Sequence, residues 1–301
     1  MYKLLAAIKL ICLFVCLAPV AAQEQCTDPD RTLLWHIPGI QSDVYLFGSI
    51  HVGNPGFYPL PDRIESTYRN AEHIVFEIDP RVAASAEIAL QIQARAVLPE
   101  GVTLREVLST DVLNDLVMTL TSLGLPPASF MNFQPWYLTL LLTNLQTAML
   151  GYLPMHGIEA YLIRQMPEGA DILELESIQK QISFLEELNG ESYLAYTLLG
   201  FEDASERIDT MIQAWECADQ EKLEEIIFSI EEDAEMLPEL DQLMEKLFFE
   251  RNAIMAGKVR EYLEAGTGDY FIVVGAGHLV GERSVLDLLD EQYPVTNIRL
   301  D

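Results

Sequence analysis

The sequence predicts an α/β fold: a mixed, partly parallel sheet with flanking helices and a helical insertion. Three observations carry that expectation. Apolar runs of strand length recur at 73–78, 171–175 and 270–274, separated by long stretches of helical periodicity. The run Ile74-Val75-Phe76 is continuous enough to be buried on both faces, as strands of parallel sheets are. No segment rich in Pro, Gly or Ser divides the chain, so strands and helices alternate within one domain, 23–301.

Taken in order, the first 22 residues read as a cleavable export signal. Lys3 and Lys9 precede the apolar stretch Leu10 to Val20, which closes on Ala21 and Ala22, so the expected cut follows Ala22. That stretch is shorter than the roughly 20 residues a spanning helix needs. The mature chain is therefore expected in the periplasm or outside the cell, with no integral membrane span. Leu33 to Ile37 and Val44 to Phe47 then read as two strands of a hairpin turning at Pro38-Gly39. A helix follows at 61–72 and a strand at His73 to Ile78. From about 83 to 165 the periodicity is helical, broken at Pro99-Glu100-Gly101, at 124–127 and at Pro135, which marks an insertion. A strand returns at Asp171 to Leu175, and helices fill roughly 177–264. A strand at Tyr270 to Val274, a helix at 281–291 and a strand at Val295 to Leu300 close the chain.

The balance of charge narrows the partners. The chain carries a net charge of −29, which becomes −31 once the two lysines of the signal are gone. Phosphate backbones and anionic headgroups would be repelled, so nucleic acid is not expected as a partner, while cations, metals, small molecules and neutral or basic peptides are acceptable ones. Half of the residues are apolar, enough for a sizeable core. Only Cys26 and Cys217 survive cleavage of the signal, and an oxidising compartment favours joining them.

The chemistry is concentrated in a repeated pattern. Val44 to Phe47 runs into Gly48-Ser49-Ile50-His51, and Phe271 to Val274 runs into Gly275-Ala276-Gly277-His278, each a strand followed by G-x-x-H. Where a buried strand leaves the sheet, glycine permits the turn that aims the next side chain into the crevice there. Two turns of one kind can bring two imidazoles to a common point, within roughly 3 to 7 Å. Carboxylates stand at comparable strand ends: Glu77 and Asp79 after one strand, Glu174 and Glu176 after another. A buried carboxylate is costly unless paired or bound to metal. Two imidazoles with Glu77 and Glu176 form a set suited to a divalent metal, Mn, Co, Fe or Zn. Without metal, a histidine could still act as general base beside a glutamate. Arg251 and Asn252, just before the last core strand, are candidates to hold a substrate carbonyl or to steady the glutamates.

In these residues the chain resembles the TraB/GumN family, relatives of the Tiki proteases. The likeness runs through LFGSIHVG, VFEID, QPW at 134–136, HGIEAYL at 156–162, ILELESIQKQISFL, the Arg251-Asn252 pair and FIVVGAGHLVGERSVLDLL. The resemblance implies a metal-dependent hydrolase fold with His51, Glu77 and His278 at the site and Glu176, Arg251 and Asn252 in support. Tiki-like members cleave peptides near an amino terminus, TraB-like members are linked to switching off peptide signals, and GumN-like members to polysaccharide gene clusters, so the resemblance carries no substrate over. Glu159 departs from the aspartate that the family pattern expects. The resulting expectation is an exported metal-dependent hydrolase, a peptidase foremost, in which Glu77→Gln keeps the fold and abolishes turnover. The alternatives are an envelope protein that sequesters a peptide or binds a partner, and a metal-free esterase built on a His/Glu pair.

Overall fold

A computed structural model describes residues 26–40, 42–166, 172–187, 190–201, 203–228 and 240–300. The export signal and its expected cut lie outside them. The sheet has six strands in the order β4-β3-β5-β2-β1-β6. These are β1 (Leu34–Ile37), β2 (Val44–Ser49), β3 (His73–Phe76), β4 (Ile172–Glu174), β5 (Tyr270–Gly275) and β6 (Thr296–Asn297). The four strands β2, β5, β3 and β4 are parallel, while β1 pairs antiparallel with both β2 and β6. The expected mixed sheet is therefore present, with the β1–β2 hairpin supplying its antiparallel edge. β5 is buried along its whole length, which is why its sequence shows no alternation. The closing strand is only two residues long because β6 meets β1 at two positions alone.

Between β3 and β4 the chain forms α2 to α7, with α1 (Asp62–Asn70) preceding β3. These helices are α2 (Pro80–Ala83), α3 (Ala86–Arg95), α4 (Leu104–Val107), α5 (Thr110–Ser122), α6 (Pro135–Met149) and α7 (Ile158–Gln165). Their starts are written in the sequence: Asp79, Ser85, Thr103 and Ser109 each cap a helix with the side chain, and Thr103 with Glu106 closes a capping box. After β4 come α8 (Ile178–Glu187), α9 (Gly190–Leu199), α10 (Ala204–Glu216), α11 (Gln220–Phe228), α12 (Leu240–Met244) and α13 (Glu250–Ala265), with α14 (Val285–Asp290) after β5. A π-helical turn, Glu245–Phe249, runs directly into α13.

Two apolar clusters organise these parts. The larger joins the strands to α1, α7, α10, α13 and α14 through Tyr68, Ile158, Trp215, Val259 and Leu289. The second joins Leu104, Leu116, Leu120, Leu138 and Leu142 of the insertion to Leu194 and Leu198 of α9. The insertion is thus completed by a helix that follows β4, a pairing that sequence order conceals. Cys26, ahead of β1, is joined by a disulfide to Cys217 at the end of α10, with Cα atoms 5.1 Å apart. Among the described residues no helix is long and apolar enough to cross a membrane.

Candidate functional site

Parallel strands end at one edge, and the candidate residues collect there. Register sets this directly: Ser49 lies opposite Gly275, and Phe76 opposite both Val273 and Glu174. His51 follows β2 by two residues, His278 follows β5 by three, and Glu77 is the first residue beyond β3. Gly275 stands among them. A methyl group there would lie 3.2 Å from Glu77 Oε1, 3.5 Å from His51 Nε2 and 3.6 Å from His278 Cδ2. Both imidazoles therefore approach one point, inside the distance expected from the sequence. Glycine at 275 keeps that point clear.

Each histidine is held through Nδ1. His278 Nδ1 is 2.6 Å from Asn252 Oδ1, and the Asn252 amide donates its own N–H to the Arg283 carbonyl, which fixes the oxygen towards the ring. His51 Nδ1 is 2.9 Å from Glu159 Oε1, which also accepts from the Ser49 hydroxyl at 2.5 Å. Amide and carboxylate oxygens only accept, so both rings carry the proton on Nδ1. In the neutral rings Nε2 is then left with its lone pair. The two differ in exposure: the His51 side chain is 67% exposed and that of His278 is 7%.

Glu77 is buried and multiply held. Its Oε1 accepts from the Gly275 N–H at 2.6 Å, and its Oε2 accepts from Arg251 at 2.7 Å. Arg251 also donates to Glu176 Oε2 at 2.9 Å, so one guanidinium bridges two carboxylates. The Glu176 side chain is wholly buried, and its Oε1 has no hydrogen-bond partner among the described residues. Gln181 adds longer contacts to both acids. The other two acids of the pattern go elsewhere. Glu174 accepts from the Asp79 N–H, and Asp79 caps α2 and binds Arg81.

The electrostatics follow from these contacts. Burial alone would raise the Glu77 pKa, but His278, Arg251, His51 and the Gly275 N–H together bring it down to about 2. At neutral pH the lasting causes are Arg251, the protonated His51 and the Gly275 N–H, because His278 is then neutral. Burial lowers the His278 pKa to about 4, with Glu77 opposing and Arg251 and His51 assisting. The Glu159 carboxylate, 2.9 Å from Nδ1, lifts the His51 pKa to about 9. The pair therefore divides near neutrality into a neutral His278 and a protonated His51, unless another cation takes the proton's place.

Whether the residues suit a divalent metal can be tested on distances. Two ligands each about 2.1 Å from one ion cannot stand more than about 4.2 Å apart. His278 Nε2 and Glu77 Oε1, 3.9 Å apart, satisfy that limit, and His51 Nε2 borders the same clear point. Among the described residues, no group of three or more His, Cys, Asp or Glu is already drawn into a metal-holding cluster. The two imidazoles have the right chemistry, whereas both Glu77 oxygens are committed to other donors. Glu176 stands behind Arg251, as its counter-ion.

Of the supporting residues, Arg251 steadies both glutamates, as one of its two expected roles required. Asn252 holds His278 instead of either glutamate. Glu159, seen in the sequence only as a departure from a pattern, is the residue whose direct place in the site was missed. The signal available was Gly157: a methyl group there would fall 2.3 Å from the His51 carbonyl oxygen, so only glycine lets α7 start against that loop. The Ile158 N–H then bonds to the Ile50 carbonyl, and Glu159 faces His51.

Beside these residues lies a cavity of about 710 Å³, lined among others by His51, Glu77, Glu159 and Arg251.

Comparison with known proteins agrees with the motifs. The model of the TraB/PrgY/gumN family matches residues 33–296. An uncharacterised protein of Escherichia coli (strain K12), YbaP, is 26% identical over 249 residues, 81% of this chain and 87% of its own. An uncharacterised protein of Treponema pallidum (strain Nichols) is 25% identical over 267 residues, 85% of this chain and 80% of its own. No solved structure matches.

Proposed function

We propose, from the premise that this chain belongs to the TraB/PrgY/gumN family, that it is an exported hydrolase of peptides working with a divalent metal. One observation carries the reading: two histidines fixed through Nδ1 bring His51 Nε2 and the His278 ring to one clear point beside an ionised, buried glutamate, with His278 Nε2 3.9 Å from its Oε1. Histidines oriented through their second nitrogen by a carboxylate or amide are the usual support for metal binding. In this reading His51 and His278 hold the ion, which on binding would polarise a carbonyl and lower the pKa of water towards about 7. Glu77 Oε1 is the acceptor towards which an attacking water can direct its proton. Arg251 keeps Glu77 ionised, Glu176 balances Arg251, and Glu159 and Asn252 set the rings.

The His51–Glu159 pair favours a second reading. Near neutrality His51 holds its proton, so without metal it would serve as an acid that polarises an ester carbonyl. The two are separated by assaying the purified protein with Mn²⁺, Co²⁺ or Zn²⁺, and with chelator, on a mixed peptide library and on simple esters. Peptide cleavage that requires metal and is lost in His51→Ala and His278→Ala, with the fold retained by circular dichroism, is the expected result. Ester cleavage that persists in chelator would establish the second reading, and tight peptide binding without any turnover would establish a sequestering protein.

A further inference from the structure

We propose that the cavity beside His51 and Glu77 selects peptides in which a large apolar residue is followed, within about two residues, by a carboxylate. The inference rests on the hydrolase reading and adds the substrate class to it. The cavity, about 710 Å³, falls in the range of ligand clefts. Its lining includes His51, Glu77 and Arg251 together with the apolar Ile78, Ala84, Met155, Ala160 and Ile163. Met155 is 63% exposed, an apolar side chain left uncovered at the cavity. Such walls suit a side chain that loses contact with water on entry.

Charge decides what lies beyond that side chain. Two of the cavity's arginines are neutralised within the protein, Arg81 by Asp79 and Arg251 by the two glutamates. Arg164 differs. Its side chain donates to the Met155 carbonyl and, among the described residues, makes no ion pair, in a chain of strongly negative charge. Helix α7 carries Glu159 at the histidine, Ala160 and Ile163 in the cavity wall, and Arg164, which also lines the cavity, more than one turn farther on. At 1.5 Å per residue Arg164 stands about 7.5 Å along the axis from Glu159. An extended peptide running along the helix covers that axial offset in about two residues. A substrate carboxylate there would meet the Arg164 guanidinium, while the apolar side chain fills the cavity.

The test uses fluorescein-labelled hexapeptides with the cores Phe-Ala-Glu, Ser-Ala-Glu and Phe-Ala-Gln, bound to the whole protein and followed by anisotropy. Serine for phenylalanine should weaken binding about tenfold or more, and glutamine for glutamate severalfold. Arg164→Gln should abolish the second difference and leave Phe-Ala-Gln binding unchanged, and Ala84→Trp should weaken both phenylalanine peptides about tenfold by filling the cavity. Equal binding of all three peptides, no binding of any, or an acid preference that survives Arg164→Gln would overturn the proposal. Turnover keeps the two readings apart. The expected binding pattern without cleavage by Mn²⁺- or Co²⁺-loaded protein removes the hydrolase and leaves the selectivity, whereas cleavage without the pattern does the reverse.

Discussion

At the scale of single residues, the site depends on side chains that turn other side chains. Asn252 is almost wholly buried and supplies the oxygen that sets the His278 ring. Asn252→Ala should weaken divalent-metal binding about 10- to 100-fold by titration calorimetry, because the ring loses its orientation. Asn252→Asp, which keeps an acceptor, should retain most of the affinity; equal losses in both would mean that burial, and not the hydrogen bond, matters. Glu77 shows where shape is not enough. Read from the sequence, Glu77→Gln keeps the fold because it keeps the volume. In the structure both carboxylate oxygens accept, from Gly275 and from Arg251, so the new NH₂ must face a donor. Urea unfolding should show a loss of about 1 to 3 kcal/mol in that variant, together with its loss of turnover. An unfolding midpoint equal to the parent's would mean that the contacts around Glu77 readjust without cost.

At the scale of elements, α10 ties the amino-terminal side of the chain to the site. Trp215 near its end donates from Nε1 to the Gly48 carbonyl, at the turn that leads to His51, and two residues later Cys217 is bonded to Cys26. The bridge closes a separation of 191 residues, and a loop of that size restricts the unfolded chain strongly. Replacing both cysteines by serine should lower stability by about 2 to 5 kcal/mol, read as a fall in melting temperature that reducing agent reproduces in the parent. If the reduced parent melts at the oxidised temperature, the bridge contributes nothing to the folded state.

At the scale of the whole molecule, the buried charges set an acid limit. The folded pKa of Glu77, about 2, lies below its ordinary 4.5, so its pairing stabilises fully above that value and is lost as pH falls towards 2. His278 has a folded pKa of about 4 against 6.5, so between those values the unfolded chain binds the extra proton and stability rises with pH. Metal-free protein should therefore weaken from about pH 6.5 to 4 and again below 4.5. Urea midpoints across that range are the measurement, and a flat profile would show that neither group is held as described. In Glu77→Gln the Glu77 limb should flatten, while the His278 limb should persist and extend to lower pH, because the carboxylate no longer holds the His278 pKa up.

The sequence by itself determined the class of fold, the positions of the parallel strands and the convergence of His51 and His278. Each follows from local rules: apolar continuity marks a doubly covered strand, a glycine turn ends it, and parallel strands share an edge. The partnership of Cys26 and Cys217 followed from there being two cysteines to join. Only the tertiary structure decided which carboxylate serves which partner. Glu77, Asp79, Glu174, Glu176 and Glu159 are alike as letters, yet one bonds Arg251 beside the histidines, one caps a helix, one anchors a backbone N–H, one lies behind the arginine and one turns His51. The pairing of α9 with the insertion was decided there too. Such choices depend on contacts between residues up to 198 positions apart, as in the Glu77–Gly275 bond, and no local pattern in the chain encodes a distance of that kind.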